Sequence, residues 1–442
     1  MDRLPNEILL AIGKHTQAGI GGQSSLHSLS LSCRRFHNLF QPLMYSYISS
    51  DNFSEAFIGF IMRIWRQPEL AKQVHRLDLC WSQCDQHDPL ELNDEMQAFV
   101  EQALEEIFTA EEQESKELWE EHLHGEEGLC GEAWLGLLLV RLTNLRILEF
   151  QHEHTELISD ILLKAAKHQQ PFHKEPLFPH LQEVRACVAW GASWIDSEFL
   201  KPFFSFSGVR RIYGTAIGEQ KNKNEGGMDL PRHRDLCPVR DITVEEGYWC
   251  RGMLDWLAVC THLEHISITV EIQADEYDLA EEEQFDASKF RLALLPFTTT
   301  LQTLRIRYGD AYTSQVIDEK DVAETPFESL KDFTVLETLT VRHDHLVESP
   351  DDSVRDWESK PLTEILPHSL VELEITDVIV DHCPELSSGL LKLLRVGDHS
   401  MNLQILTLGI CREDEEEELG DVFDALKLEC EVANVRLNIE TV

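Results

Sequence analysis

Cys80, Cys84 and His87, with Asp85 and Asp88 among them, put thiol, imidazole and carboxylate donors within nine residues. Zinc takes such ligands, but a closed structural site normally draws on two spaced pairs, and this CxxxC-xx-H spacing supplies one. Cys80 also falls at the end of an expected strand. His152, Glu153 and His154 form a second cluster, and His343, Asp344 and His345 a third. Residues that close in sequence cannot share one helix face, so both clusters are expected in solvated loops. Gly19–Ser25 (GIGGQSS) looks faintly like a phosphate loop. It lacks the Gly-Lys-Ser/Thr ending and a preceding strand, and is expected to be a plain loop. No HExxH, GxSxG, Walker or Rossmann pattern is present, and no carboxylate pair is singled out as acid and base. The chain is therefore expected to be non-catalytic, with no cofactor and no bound metal.

The whole-chain chemistry narrows the partners. The 442 residues carry 80 acidic and 38 basic side chains, a net charge of −42. Nucleic acid and anionic membrane surfaces attract positive charge, so neither is an expected partner. Hydrophobic content of 43% is that of a folded protein. The eleven cysteines are odd in number and irregular in spacing, which fits reduced thiols in the cytoplasm or nucleus. The early apolar run Ile8–Ile12 is too short for a secretory signal core and follows Glu7. No run approaches the roughly 20 residues of a membrane helix.

The elements begin at once. Pro5 suits a first helical turn, after which Ile8, Leu9 and Ile12 fall on one face. Gly19, Gly21 and Gly22 are expected to end that helix, and Ser24 or Ser25 to cap the next. Leu26, Leu29, Cys33, Phe36 and Phe40 then recur at steps of three and four, predicting one helix that Pro42 stops. Leu43, Tyr45, Tyr47 and Ile48 follow as an extended tail. A unit of about fifty residues cannot bury enough surface to stand alone, so its apolar faces must dock on something.

These residues resemble the F-box. The likeness rests on Leu4-Pro5, Glu7-Ile8-Leu9, Ile12, Leu29, Cys33-Arg34-Arg35-Phe36, Leu39, Pro42 and Tyr45, in order over about 45 residues, with Gly19–Gln23 as an insertion. The resemblance implies that Leu4, Pro5, Ile8, Leu9, Ile12, Leu29, Cys33, Phe36, Leu39, Pro42 and Tyr45 bind a Skp-family adaptor and, through it, cullin. The rest of the chain would then select a protein substrate for ubiquitination.

Residues 51–73 read as a helical linker, with a helix over 53–66 capped by Ser54. The segment PELAK-x-V that follows is similar to the junction after the F-box in proteins of filamentous fungi, and places a strand at Val74–Leu79. Between Glu101 and Glu127 lie eleven Glu and one Lys, in an acidic helical insertion starting near Asn93. It is expected to be a solvated helix face.

One pattern then recurs: apolar, two residues, apolar, one residue, apolar. It appears as VHRLDL from Val74, then at Leu145, Leu181, Val209 (imperfect, with Gly214 in the last apolar place), Val239, Leu263, Leu301, Leu336, Leu370, Leu403 and Val432. From Leu145 onward the intervals are 36, 28, 30, 24, 38, 35, 34, 33 and 29 residues. Helical stretches lie between, at Leu157–Lys167, Met253–Cys260, Phe290–Leu295, Leu386–Val396 and Val422–Leu428. The array resembles a leucine-rich repeat with longer units. That resemblance implies an irregular α/β solenoid over 74–442 with a parallel sheet on its concave side. Outward strand positions such as Arg146, Gln182, Arg305, Arg307, Glu374 and Thr407 are expected to line that face. Acidic segments 274–286 and 342–359, the locally basic 218–238 and the acidic run 413–418 are expected to be insertions or solvated loops. The expected function is substrate recognition within an SCF-type (Skp-cullin-F-box) ubiquitin ligase, with an interaction scaffold outside a ligase as the alternative.

Overall fold

The computed structural model describes residues 4–17, 22–49, 54–80, 92–124, 130–152, 156–174, 176–188, 194–219, 237–271, 285–309, 326–347, 360–395, 402–411 and 421–441. Cys84, Asp85, His87, Asp88, Glu153, His154, Gly19 and Gly21 lie outside them, as do most of 218–238 and 274–286 and all of 348–359 and 413–418.

The apolar motif dictates the strands. In LEHISI, Leu263 sits in the turn before the strand, while Ile266 and Ile268 alternate on one side of it. All three are fully buried, as are their counterparts Leu301, Leu304 and Ile306, and Leu336, Leu339 and Val341. The strand begins two residues after the first apolar position. The residue between them offers its carbonyl to the next unit: Arg146 and Ile147 both donate to His75 O, at 2.8 and 3.1 Å. The same doubled bond recurs at Arg240, Glu264, Gln302, Glu337 and Val371.

The described residues form two compact units. The first runs to Ile195 and includes 205–209. It contains three N-terminal helices, α1 (Asn6–Gln17), α2 (Gly22–Ser32) and α3 (Arg34–Ser46), then β1 (Tyr47–Ser49), α4 (Glu55–Arg66) and α5 (Pro68–Ala71). It continues through β2 (Arg76–Cys80), α6 (Asp94–Ile107), α7 (Gln113–His124), α8 (Gly131–Arg141), β3 (Ile147–His152), α9 (Glu156–Ala166) and β4 (Glu183–Val188). Its parallel sheet runs in chain order, β1-β2-β3-β4. Ile195–Asp196 form a two-residue strand, β5, at the division.

The second unit takes Asp196–Phe204 and the chain from Arg210. Its strands are β6 (Arg211–Gly218), β7 (Asp241–Tyr248), β8 (His265–Glu271), β9 (Thr303–Tyr308), β10 (Thr338–Arg342), β11 (Glu372–Ile379), β12 (Ile405–Cys411) and β13 (Arg436–Thr441). All pair in parallel and in chain order. Between them come α10 (Leu254–Val259), α11 (Ala287–Leu294) and helices at Leu362–Ile365, Cys383–Arg395 and Asp424–Ala433. Burial alternates along His265–Glu271 and over the first residues of β6, β7 and β11, whereas β10 is buried from Leu339 onward. A parallel sheet covered on both faces would bury every position, so here helices cover one face and leave the other open. The chain is thus α/β with open parallel sheets.

Several expectations change. The acidic insertion is two helices rather than one; most of its described Glu side chains are exposed, as expected, while Phe99, Val100, Ala103, Leu104 and Ile107 in α6 and Trp119 and Leu123 in α7 are buried. Thr109 and Glu112 divide them, with the Glu112 carboxylate accepting from Thr109 N and Oγ1 at 2.8 Å. Trp65 and Trp134 flank Phe99, with centroids 5.5 and 6.2 Å away, and the Trp65 indole donates to Leu137 O at 2.9 Å. In the last unit, Val432 lies inside a helix and is 83% exposed. The strand pairing Ile405↔Arg436 instead places Asn434 where the other units have their first apolar residue.

Candidate docking surfaces

Three helices, rather than two, make up the N-terminal group. The apolar stripe from Leu26 to Phe40 is broken at Cys33, the N-cap of α3, whose sulfur accepts from Phe36 N at 3.5 Å. Cysteine is not among the favoured capping residues, which is why the periodicity ran through it unmarked. Gly22 begins α2, so neither Ser24 nor Ser25 caps it. Pro42 does not end α3; it lies within it. Leu43, inward and buried, continues the helix past the missing N–H. Gln17 then donates to Leu43 O at 2.8 Å, and Gln23 to Tyr47 O at 2.9 Å, satisfying carbonyls at the helix end. Tyr45 is helical, and β1 begins only at Tyr47.

A small core holds the three helices together: Leu9, Leu26, Phe36, Phe40 and Leu43, with Leu10, Leu29, Leu39 and Met44 against it. Leu9 and Phe36 thus face inward, where they support the group and present no surface to a partner. Leu29, Leu39 and Tyr45 are half-buried, and Tyr45 stacks on Phe60 with centroids 6.2 Å apart. Pro5, Cys33 and Pro42 are exposed. Leu4, Ile8 and Ile12 are 37%, 49% and 41% exposed. Their four-residue spacing makes one apolar stripe along α1 and the residues leading into it. Leu31, at 71%, is a further exposed apolar group that the F-box pattern did not single out.

The open sheet faces are the second kind of surface. In the second unit, strand register aligns Tyr213, Thr243, Ser267, Arg305, Thr340, Glu374, Thr407 and Asn438 in one polar row. Glu374 accepts from Arg307 and Thr340, at 2.8 and 2.9 Å, and Asn438 donates to Thr407 at 3.2 Å. Arg305, Arg307, Glu374 and Thr407 therefore lie in strands. Arg146 and Gln182 do not; they precede β3 and β4.

In the first unit the corresponding face carries Tyr47, Arg76, Asp78 and Glu149. Tyr47 donates to Asp78 at 2.6 Å, and Arg76 bridges Asp78 and Glu149 at 3.1 and 3.0 Å. Burial, then the hydrogen bond to Asp78 and its charge, push the Tyr47 phenol up to about 12. The charges on these faces are largely paired within the sheet, so a ligand meets hydrogen-bonding groups of fixed orientation.

The chemistry-bearing clusters fall unevenly. Cys80 ends β2, while its possible co-ligands lie outside the described residues. His343–His345, expected as a solvated loop, form a 3-10 turn in which both histidines are buried. The ten described cysteines are free thiols. Among the described residues no helix is long and apolar enough to cross a membrane. No protein-family model matches the chain, and no curated protein matches it in sequence.

Proposed function

We propose that this chain is the substrate-recognition subunit of an SCF-type ubiquitin ligase. Its N-terminal helices act as an F-box that docks a Skp-family adaptor and, through it, cullin. The strand-helix array is an irregular leucine-rich-repeat solenoid whose polar sheet face holds the protein to be ubiquitinated. The chain does no bond chemistry. It tethers substrate near the ubiquitin-carrying enzyme and so raises the local concentration of substrate lysines.

The observation that carries this reading is the exposed stripe Leu4, Ile8 and Ile12 on a helical group with its own core, in a stretch whose sequence resembles the F-box. Each such side chain, already half-buried, gains about 0.5–1.5 kcal/mol when a groove buries the rest of it. The test is recovery of adaptor and cullin by the full chain and by an Ile8→Asp/Ile12→Asp variant. The wild type should recover both and the variant neither, with unchanged thermal unfolding. Equal recovery would remove this stretch as the docking element. Adaptor without cullin would place the chain outside a ligase.

A further inference from the structure

Parallel strands end on one edge of a sheet, so the turns that follow neighbouring strands lie side by side. β10 and β11 pair through Arg342↔Thr376, near their C-terminal ends. A 3-10 turn follows each: His343–His345 after β10 and Val380–His382 after β11. Residues 39 positions apart therefore meet. The rings of His343 and His382 have centroids 5.1 Å apart and are inclined at 32°. Asp344 Oδ1 is 3.1 Å from His343 Nδ1. One ring nitrogen from each histidine and one Asp344 oxygen lie within 4.8 Å of one another.

Two features of this cluster suit a cation. His343 is buried, while Asp344 and His382 are half-buried, so the group has a wall and an approach. His382 Nδ1 is buried and has no hydrogen-bond partner among the described residues. A buried polar atom left so costs about 1–3 kcal/mol unless a ligand satisfies it. Among the described residues, Asp344 and Asp377 both face the Arg342 guanidinium, at 4.0 and 3.0 Å. Ligands about 2.0–2.1 Å from a tetrahedral zinc lie about 3.4 Å apart, so binding would draw these donors inward.

A second group, Asp241, Glu264 and His265, meets the same distance criterion. Two of its members are already engaged, Glu264 with Arg240 at 2.6 Å and His265 with Thr303 at 3.0 Å, although Asp241 Oδ1 has no hydrogen-bond partner among the described residues. It gives a control.

The geometry points to a divalent zinc-type ion bound by His343, Asp344 and His382, with the fourth position left to water. Two imidazoles and one carboxylate favour zinc or cobalt over calcium or magnesium, which prefer all-oxygen sites. The site is independent of the proposed docking role and needs no assumption about the ligase.

Cobalt(II) is the probe, titrated alone into the chelator-stripped full chain. The expected result is visible d–d absorption from one nitrogen- and oxygen-ligated ion per chain, abolished by added zinc. His343→Gln and His382→Gln should each weaken that binding by more than about tenfold, and His265→Gln should leave it unchanged. Wild-type X-ray absorption should show imidazole scattering in that ion's first shell, a readout that does not depend on a variant folding. Absence of stoichiometric binding, the same affinity in both folded histidine variants, or a first shell without imidazole would overturn the assignment.

Discussion

Arg35, in the first turn of α3, holds Asn6, the first residue of α1. Its Nη2 and Nε donate to Asn6 Oδ1 at 2.8 and 3.2 Å, and Nη2 also donates to Leu4 O at 2.6 Å. This guanidinium thereby anchors the residues leading into α1, and with them Leu4. Arg35→Ala is expected to cost about 1 kcal/mol, since the bonds lie at the surface. Amide exchange at Ile8 and Leu9 should accelerate while the core around Phe40 stays protected. Unchanged exchange there would mean that Arg35 does not position the stripe.

Two helical glycines should respond to alanine with opposite signs. A Cβ on Gly13 would stand 2.8 Å from both Phe40 and Leu43. Both are core residues, so Gly13→Ala overpacks the group and should cost about 1–3 kcal/mol, only partly offset by helix propensity. Gly59 in α4 has nothing among the described residues within 4 Å of the same position, and Gly59→Ala should stabilise by about 0.5–1 kcal/mol. Denaturant midpoints of the two variants provide the comparison. Stabilisation by both would mean that α1 and α3 are not closely packed.

Acid should act through Glu112. Burial alone would raise its pKa, but hydrogen bonds from Lys164 and Thr109, and the charge of Lys164, outweigh it and hold the carboxyl below the usual 4.5. A carboxylate with a depressed folded-state pKa contributes its stability fully above the unfolded value and loses it as pH falls through the folded value. Its contribution should therefore be complete above about pH 5 and fade below 4.5. Glu112→Gln should lose stability at neutral pH, by about 1–3 kcal/mol, because Lys164 is only 3% exposed. Stability profiles of the two proteins should converge in acid. Parallel profiles would rule Glu112 out.

Arg342 and Asp377 form a buried pair, 4% and 13% exposed, with the guanidinium also 4.6 Å from the centre of the Tyr308 ring. Arg342→Gln should cost about 3 kcal/mol, because it leaves a buried carboxylate without its cation. Adding Asp377→Asn should restore part of that loss. Strictly additive costs in a denaturation cycle would mean that the two are not coupled.

The strand frames were legible in the sequence. An apolar-x-x-apolar-x-apolar motif has only one way to put its last two apolar residues on one face, and nine of the ten units from Leu145 onward begin their strands two residues in. Asn434 escaped because it fills an apolar position in the left-handed conformation, at φ 56°. On the N-terminal helices, periodicity marked Ile8, Leu9 and Ile12 as one apolar set. Only the packing of α1 on Phe36, Phe40 and Leu43 decided that Leu9 turns inward and Ile8 and Ile12 outward. The histidines show the same limit more sharply. Adjacency in the chain grouped His345 with His343 and Asp344, whereas pairing of β10 with β11 brings in His382, because parallel register aligns distant residues that no local pattern connects.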